Sequence, residues 1–333
     1  MRYSESNMPS ASKQKNFLVA ALTLVALVLM VASFFSPIWW VSLTAPNYPK
    51  EAFPQGIRIH FHFDRVANGC TSIPQSRLTQ ETEQRDLGDD LSHREDEKGR
   101  PAAEKQQVGL DCMHEMNTIN HYVGMYPIET GAPVERPLAK FFFGFFAVML
   151  LAFTLRSKKL QLAVLGAGFA AVAAWMVGDL YVVGTLEPFI KNYMVQAASF
   201  FNEPERIAHW GAMLKTITGV VVAGLIAAMM VVVLGVWKIR SFELLLALVP
   251  GLLPLFFLID YAAWLWFFGH NLHPWGAFTV KPFMPTVFGE GKVAQFSTYS
   301  YPHYGYGLLA AVFLLLMLAL LLRRKQLREE SGA

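Results

Sequence analysis

The sequence predicts an all-α integral membrane protein with six transmembrane helices and a small external α+β domain between spans one and two. First, 54% of its 333 residues are hydrophobic and only 16% are charged, which is too apolar for a soluble domain of this length. Second, apolar runs of roughly the 20 residues that cross a bilayer recur along the chain. Third, basic residues cluster at the ends of these runs, which disfavours nucleic acid as a partner and implies membrane lipid instead.

The first apolar run follows a polar N-terminal segment, residues 1–16, and admits two interpretations. Small residues at Val31, Ala32 and Ser33 suit a signal-peptide cleavage site. The run is longer than the apolar part of a signal peptide, however, and ends at two tryptophans typical of a membrane interface, so we predict an uncleaved span. The six predicted spans are residues 17–40, 139–155, 160–186, 216–237, 242–268 and 306–322, followed by a tail at residues 323–333.

Charge at the span ends predicts the orientation. The connections after spans two and four are short and basic, and both chain termini are basic. With six spans these all fall on one side, so the positive-inside rule places both termini in the cytoplasm, at a bacterial inner membrane. The external segments are then residues 41–138, 187–215 and 269–305. All nine histidines, including His93 and His209, fall in these segments, which disfavours a haem held by two histidines inside the bundle.

The external segments contain distinct local patterns. Residues 57–64 alternate between apolar and polar side chains, which is typical of a half-buried strand. Residues 72–108 are too polar to order themselves and predict a disordered insertion. Cys70 and Cys112 flank this insertion, so we predict a disulfide in an oxidising compartment, with a paired-thiolate metal site as the alternative. Residues 187–215 predict an amphipathic helical connection on the outer surface.

The stretch from Leu110 to Ile128 has the strongest chemical pattern, because it places sulfur and imidazole donors close together. Such a mixture suits copper better than magnesium or calcium. If residues 111–122 are helical, the histidines share one face and Gly124 ends the helix. The alternative is a short amphipathic helix on the membrane surface, with packed methionines and solvated histidines. The candidate copper ligands are His114, His121, Met125, Met113 and Met116.

Two further groups of donors are candidates for the same metal. His60 and His62 lie on one face of the predicted strand, although polar-face residues of a strand are commonly just solvated. The third external segment is rich in aromatic residues, proline and histidine. An ordered loop of this length usually has a functional role. Its aromatic residues equally suit a cap at the lipid headgroups. The opposing ligands would be His270, His273, Met284 and His303.

Two carboxylates, Asp179 and Asp260, lie within predicted spans and toward the external side. A carboxylate buried in lipid is costly enough to indicate proton or cation handling. Alternatively, each is hydrated near the interface or bonded to Tyr181 or Tyr261. No phosphate-binding loop, dinucleotide fingerprint, nucleophile elbow or HExxH motif occurs, which disfavours an enzyme of those classes.

Several short motifs occur in the external segments. They are APNYP at 45–49, INHYVGM at 119–125, LHP at 272–274, FMP at 283–285 and YSYP at 299–302. Together with the span pattern, these motifs resemble a poorly characterised family of bacterial multi-span membrane proteins encoded near nitrous-oxide reductase and other copper enzymes. The resemblance implies an accessory role and includes no catalytic signature. The insertion at residues 72–108 departs from the shorter forms of that family, so it is expected to carry no shared function.

The leading prediction is an inner-membrane accessory protein that binds or passes copper on the outer face, supporting maturation or electron supply of a periplasmic copper enzyme. The alternative is a transporter or membrane-enzyme subunit that uses Asp260 and Asp179 within the bundle, with the outer loops as a lid. Convergence of the external segments on one polar cluster would favour the first function. A cavity leading down to Asp260 would favour the second.

Overall fold

The computed structural model describes residues 8–46, 48, 50, 52–71, 73–74, 107–108, 110–277, 280–293 and 295–331. Within these residues, six helices are long and apolar enough to cross a membrane, as in a multi-pass membrane protein. They are Lys13–Phe35, Glu135–Thr154, Lys158–Val182, Pro204–Lys238, Leu253–His270 and Tyr304–Glu329. His93 and nearly all of the predicted insertion at residues 72–108 lie outside the described residues.

Helices make up most of the described chain. A π-helical turn, Gly178–Val182, extends the third span. Turns of 3-10 helix at Ile128–Thr130 and Arg240–Leu244 come before the helices that start at Glu135 and Leu245. The apolar run predicted as span five is broken at Leu252, between two helices. Pro254 lies in the first turn of the second helix, where its missing N–H costs no helical hydrogen bond. The helices are α1 (Met8–Phe35), α2 (Cys112–Tyr122), α3 (Glu135–Thr154), α4 (Lys158–Val177), α5 (Leu186–Phe200), α6 (Pro204–Lys238), α7 (Leu245–Gly251), α8 (Leu253–His270) and α9 (Tyr304–Ser331).

Helix α3 is the central helix of the bundle. In its most apolar window 56% of the residues are buried, against 22–28% in the other five spans. Phe141 and Phe153 of α3 pack in a core that includes residues of every other span. Large apolar side chains on the outer faces of the peripheral helices stay exposed, among them Val28 on α1 and Leu314 on α9. Extensive exposed apolar surface of this kind marks contact with lipid.

The first half of α1 and the last turns of α9 lie at one end of the bundle. The Lys15 ammonium in α1 pairs with Glu329 in α9 at 2.9 Å. Nη2 of Arg323 in α9 donates to the carbonyl oxygen of Phe153, near the end of α3, at 2.8 Å. We call this the basic end, because Arg323 and the basic residues after α3 and α6 border one cavity there.

The opposite end, called the outer end, carries a five-stranded antiparallel sheet with strand order β3-β2-β1-β7-β6. Its inner face packs on α2, and Trp39, the first residue of its central strand β1, lies beside α8. A separate two-stranded pair is formed by β4 and β5. The strands are β1 (Trp39–Thr44), β2 (Ile57–Phe61), β3 (Val66–Asn68), β4 (Ile73–Pro74), β5 (Gln107–Val108), β6 (Gly289–Val293) and β7 (Phe296–Pro302).

This sheet is not confined to the segment between spans one and two, where the sequence predicted the external domain. β6 and β7 come from the segment before span six, and β7 pairs with β1 from Trp39 opposite Pro302 to Thr44 opposite Ser297. Without β7, one side of β1 would carry unpaired backbone groups. The first helix ends at Phe35, and Trp39 begins a strand. Trp39 and Trp40 are therefore not the end of span one, as the sequence predicted.

The predicted helix within Leu110 to Ile128 is present as α2. The Asp111 carboxylate accepts a hydrogen bond from the His114 backbone N–H at 3.0 Å, which caps the first turn. Gly124 follows the helix with a φ of 81°, a left-handed conformation that favours glycine. Cys112 forms the predicted disulfide with Cys70, and their Cα atoms are 5.9 Å apart. The disulfide thus ties α2 to the chain that follows β3.

Removing this disulfide is expected to loosen the outer end of the protein. The bond spans a sequence separation of 42 residues, and a cross-link over such a loop stabilises the folded state by about 2–4 kcal/mol. Replacement by Cys70→Ser and Cys112→Ser should therefore lower the thermal unfolding temperature. Dithiothreitol should lower it for the wild-type protein and leave the variant unaffected. Two free thiols, found by mass analysis of unreduced peptides from native membranes, would contradict this prediction.

Candidate functional site

A cavity of about 440 Å³ lies between α3 and α8, on the bundle side of the hairpin that joins β2 to β3. Its walls are mostly aromatic, and the lining positions on α3 recur at helical spacing because one face of that helix turns toward the cavity. The lining residues are Phe61, His62, Phe63, Arg65 and Val66 from the hairpin; Ile128, Gly131 and Ala132 before α3; Glu135, Arg136, Ala139, Phe142, Phe143 and Phe146 from α3; and Leu253, Phe256, Phe257, Asp260, Tyr261, Trp264, Leu265 and Phe268 from α8.

Two carboxyl groups of this cavity lack a protein donor among the described residues. Oε2 of Glu135 is buried without a hydrogen bond, and the Asp260 side chain makes neither a hydrogen bond nor an ion pair there. The two basic residues of the lining are engaged elsewhere: Arg65 pairs with Asp64 at 2.9 Å, and Arg136 donates to three backbone carbonyl groups. The cavity therefore presents unneutralised acceptors in apolar surroundings.

Asp179, the other carboxylate predicted within a span, has a different environment. It lies in the π-helical turn after α4 and pairs with Lys140 of α3 at 2.7 Å. Its Oδ2 also accepts a hydrogen bond from Thr185 at 2.9 Å. An ion pair with an added hydrogen bond satisfies a carboxylate removed from water. Asp179 thus joins α3 to α4 and does not share a cavity with Asp260.

The histidines of α2 share one face, as predicted, but an aromatic ring occupies that face. Phe200 of α5 lies against both, with its ring centroid 6.3 Å from that of His114 and 6.0 Å from that of His121. Seven residues of helix separate the two histidines by roughly 10.5 Å along the axis. Two imidazole nitrogens bound to one ion lie only about 4 Å apart. The structure therefore does not bring these two side chains to a common metal.

The methionines of the same stretch are core residues. Met113 and Met116 pack against Ile57 under the sheet, and Met125 packs with Phe268 of α8. Within the described part of the chain, no group of three or more His, Cys, Asp or Glu side chains is placed to hold a metal ion. The structure therefore does not assemble the donors of α2 into a ligand set.

His273, predicted as an opposing ligand, joins the three external segments instead. Its Nδ1 accepts from the Trp275 backbone N–H at 3.0 Å, so Nε2 carries the proton of the neutral ring. Nε2 lies 2.7 Å from Oε1 of Glu203, with a bent geometry. The Tyr126 hydroxyl donates to the other Glu203 oxygen at 3.4 Å. Burial raises the pKa of Glu203, but the contacts to His273, Arg206 and Tyr126 outweigh it and lower that pKa below its ordinary value.

His270 and Met284 lie outside the cluster around Glu203. The His270 ring stacks on Trp266 with centroids 4.4 Å apart, and its Nδ1 lies 2.9 Å from the Trp266 carbonyl oxygen. This arrangement closes the last turn of α8. Met284 is 45% exposed. Within the described residues, neither His270 nor Met284 belongs to a group of side chains that could hold a metal ion.

One pair of predicted ligands from different segments does come together. The rings of His60 on β2 and His303 after β7 have centroids 4.9 Å apart, because β1 pairs with both strands. Nε2 of His60 is buried with no hydrogen-bond partner among the described residues. Nδ1 of His303 accepts from the Tyr304 backbone N–H at 2.9 Å, which leaves its Nε2 for another contact. His62 lies near enough to interact electrostatically with both rings.

These histidines are neutral near pH 7. Burial, assisted by the charges of Arg58, His303 and His62, lowers the pKa of His60 to about 4. Burial and the Arg58 charge also lower the pKa of His303. Burial and Arg65 lower the pKa of His62, against a smaller opposing effect of Asp64. A neutral imidazole is the form that binds a transition metal.

Comparison of the chain with protein-family models, characterised proteins and solved structures finds no match. The resemblance inferred from the short motifs therefore stays a prediction.

Sequence reasoning missed Glu135 and Glu203 as site residues. Glu135 precedes Ala139 and Phe142 by four and seven positions, a spacing that places all three on one helix face. That spacing was the available signal for its role in the cavity. Glu203 directly precedes a proline that begins α6, but no sequence pattern links it to His273.

Acid is expected to destabilise the sheet through His60. Its pKa of about 4 in the folded protein lies below the ordinary value of 6.5. The unfolded chain therefore binds this proton more readily, so stability falls as the pH drops from about 6.5 toward 4. His60→Gln should reduce this dependence of the unfolding temperature on pH, whereas His114→Gln, at an exposed position on α2, should not. The same slope in His60→Gln and wild type, measured by thermal unfolding in detergent, would contradict the assignment.

Proposed function

We propose that the protein is a transporter or membrane-enzyme subunit that binds a lipid-soluble molecule in the cavity between α3 and α8. The observation that carries this proposal is a pair of carboxyl groups, Asp260 and Glu135, that have no hydrogen-bond donor among the described residues and share a mostly apolar cavity of about 440 Å³. The ligand is one with an apolar body and a head that donates hydrogen bonds or carries positive charge.

The energetic argument concerns the cost of an unpaired carboxyl group among apolar side chains. Such a group is costly without a donor, and lipid supplies none. Asp179 is also in the bundle but has Lys140 and Thr185 as partners. This difference supports a bound molecule, rather than any described side chain, as the donor to Asp260 and Glu135.

The shape of the cavity suits a small molecule with an extended apolar surface. Its volume falls within the range of about 300–1,000 Å³ typical of small-molecule sites. Phe257 and Trp264 provide ring faces that attract a cation as well as an apolar body. Phe256 also lines the cavity, and 41% of its surface is exposed. This position supports access from the lipid side.

We also propose that the basic end faces the cytoplasm of a bacterial inner membrane. The positive-inside rule supports this orientation, because basic residues follow α3 and α6 at the same end as Lys15 of α1 and Glu329 of α9. The sheet and the outer histidines then face the periplasm, and the cavity lies near the periplasmic surface of the bilayer.

Ligand binding should depend on the two carboxyl groups. We expect the purified protein in nanodiscs to bind tetraphenylphosphonium, a lipid-soluble cation, or decylubiquinol, a neutral hydrogen-bond donor, in a saturable manner. Asp260→Asn or Glu135→Gln should weaken that binding at least about tenfold. Decylubiquinol loses a hydrogen bond to a charged group, which contributes about 1.5–3 kcal/mol. Tetraphenylphosphonium donates no hydrogen bond but loses its attraction to a carboxylate charge. Equilibrium dialysis measures the affinity.

Glu187→Gln is the matched control, since it makes the same change at a carboxylate on the outer surface that pairs with Lys215. It should leave both affinities unchanged. A weakened affinity for the cation alone would identify charge as the recognised feature of the ligand. The cavity assignment fails if neither probe shows saturable binding, or if Asp260→Asn and Glu135→Gln bind both probes as wild type does.

A second candidate function is copper binding on the outer face in support of a periplasmic copper enzyme. The contact between His60 and His303 favours it, because imidazoles from two external segments meet there and both are neutral near pH 7. The Arg58 guanidinium opposes a cation, but it is held over the ring of Trp40 at 4.1 Å from its centroid. His62 is the third candidate ligand.

Copper retention distinguishes this site from the one predicted on α2. We expect His60→Ala and His303→Ala each to reduce the copper retained by purified protein after dialysis against a weak chelator. His121→Ala should retain as much copper as wild type, since Phe200 and Phe201 surround that ring. Metal content measured by mass spectrometry decides between them. Loss of copper in His121→Ala alone would return the site to α2.

A further inference from the structure

A second, smaller cavity lies under the sheet at the outer end of the bundle. It has a volume of about 80 Å³ and is enclosed by the sheet, α2, α8 and the segment before β6. We call it the outer cavity. Phe61, Tyr261 and Leu265 border both the outer cavity and the larger cavity between α3 and α8. A single layer of side chains therefore separates the two cavities.

Phe61 is the member of this layer that has room to move. The Tyr261 ring is buried and stacks on Phe257 with centroids 5.9 Å apart, and its hydroxyl lies 3.3 Å from Ser300 Oγ. Phe61 is only partly buried and meets the Tyr261 ring edge to face at 5.2 Å. Its backbone is held in β2, but its ring borders open volume on two sides. A change of side-chain rotamer at Phe61 joins the cavities without moving the strand.

Polar groups of the outer cavity lack partners within the described part of the chain. Asn120 of α2 is 7% exposed, and neither atom of its side-chain amide has a hydrogen bond to a described residue. Its Nδ2 is fully enclosed, whereas Oδ1 keeps accessible surface. Thr298 of β7 pairs with Leu43, and its hydroxyl also has no partner among the described residues. The outer cavity thus offers hydrogen-bonding oxygens in apolar surroundings.

Asn117, one turn earlier on α2, shows what a purely structural amide does in the same helix. It is also buried, but its Oδ1 accepts from the Ile128 backbone N–H at 2.8 Å and its Nδ2 donates to Glu129 at 3.1 Å. These bonds fasten the chain that follows α2. Asn120 makes no such contact, so its amide has a partner to gain from a bound molecule.

We propose that the two cavities form one binding site, whose ligand is a neutral amphiphile with two hydroxyl groups on a flat ring. This inference rests on the proposed function and names the class of its ligand. One hydroxyl donates to Asp260 in the larger cavity, and the other donates to Oδ1 of Asn120 in the outer cavity. The ring occupies the space that the Phe61 side chain leaves when it turns aside.

The chemistry of the two cavities selects this class of molecule. A carboxylate and an amide oxygen both accept hydrogen bonds, so the ligand must donate one in each cavity. A cation without donors satisfies Asp260 alone and leaves Asn120 unpaired. Phe61 and Tyr261, which border both cavities, provide aromatic surface that packs well against a flat ring. A dihydroxy-aromatic compound of the quinol type meets all of these requirements.

The first test compares three probes on the full-length protein in nanodiscs under anaerobic conditions. Wild type should bind decylubiquinol at least about tenfold more tightly than decylubiquinone, which has the same size but no hydroxyl to donate. Asn120→Leu should weaken decylubiquinol binding roughly fivefold, the effect of one neutral hydrogen bond, and leave tetraphenylphosphonium binding within about twofold of wild type. Asn192→Leu, the same change at an exposed position of α5, should alter neither affinity.

The second test places the ligand in the outer cavity. The two native cysteines are joined to each other, so Thr298→Cys provides the single free thiol of the chain. At about ten times its dissociation constant, decylubiquinol should slow alkylation of this thiol by N-ethylmaleimide about tenfold. Tetraphenylphosphonium, which does not reach the outer cavity, should slow it less than about twofold. Ser199→Cys, at an exposed position of α5, should react at the same rate with either compound as without.

The results separate this inference from the proposed function. Unchanged decylubiquinol binding in Asn120→Leu, or unprotected Thr298→Cys, overturns the inference, whereas weakened binding in Asp260→Asn still supports the larger cavity as a ligand site. Equal weakening of both probes by Asn120→Leu overturns it as well, because that result marks a general loss of structure. Wild type that binds tetraphenylphosphonium but not decylubiquinol overturns the inference alone. Saturable binding of neither probe overturns both.

Discussion

The antiparallel pairing of β1 with β7 is the constraint on which the outer part of the structure depends. β1 follows α1 almost directly and β7 leads almost directly into α9, so this ladder joins spans one and six at the outer end. The ion pair between Lys15 and Glu329 joins the same two helices at the other end. The sheet therefore rests on a pair of helices held at both ends, and β2 and β6 extend it on either side.

The pairing of β1 with β7 also connects the sheet to the wall of the cavity between α3 and α8. The Trp39 indole N–H donates to Ser300 Oγ at 2.8 Å, and Ser300 donates to the Val287 carbonyl oxygen at 2.7 Å. The Tyr261 hydroxyl lies 3.3 Å from the same serine oxygen. Breaking one member of a buried polar network leaves the others unsatisfied. This network therefore holds the turn of α8 that also carries Asp260, while the β2–β3 hairpin covers the cavity from the outer side.

Local patterns in the sequence were sufficient for the elements but not for the sites. The apolar runs predicted six spans because span length depends only on bilayer thickness. The sequence predicted a helix over residues 111–122 that Gly124 ends, and α2 has these limits to within one residue because helical spacing and left-handed backbone are local effects. Sulfur and imidazole donors in one stretch suggested copper, but the sequence could not show that Phe200 would occupy the face between His114 and His121.

The sequence by itself determined a multi-span membrane protein, the helix between Leu110 and Ile128, and the pairing of Cys70 with Cys112. Composition, helical period and the count of two cysteines each constrain these outcomes locally. Only the tertiary structure decided which charged groups have partners. Lys140 reaches Asp179, whereas Glu135 and Asp260 meet at one cavity where no described side chain donates to them. These contacts join residues far apart in the chain, and such distances follow from how helices and strands pack rather than from any spacing along the sequence.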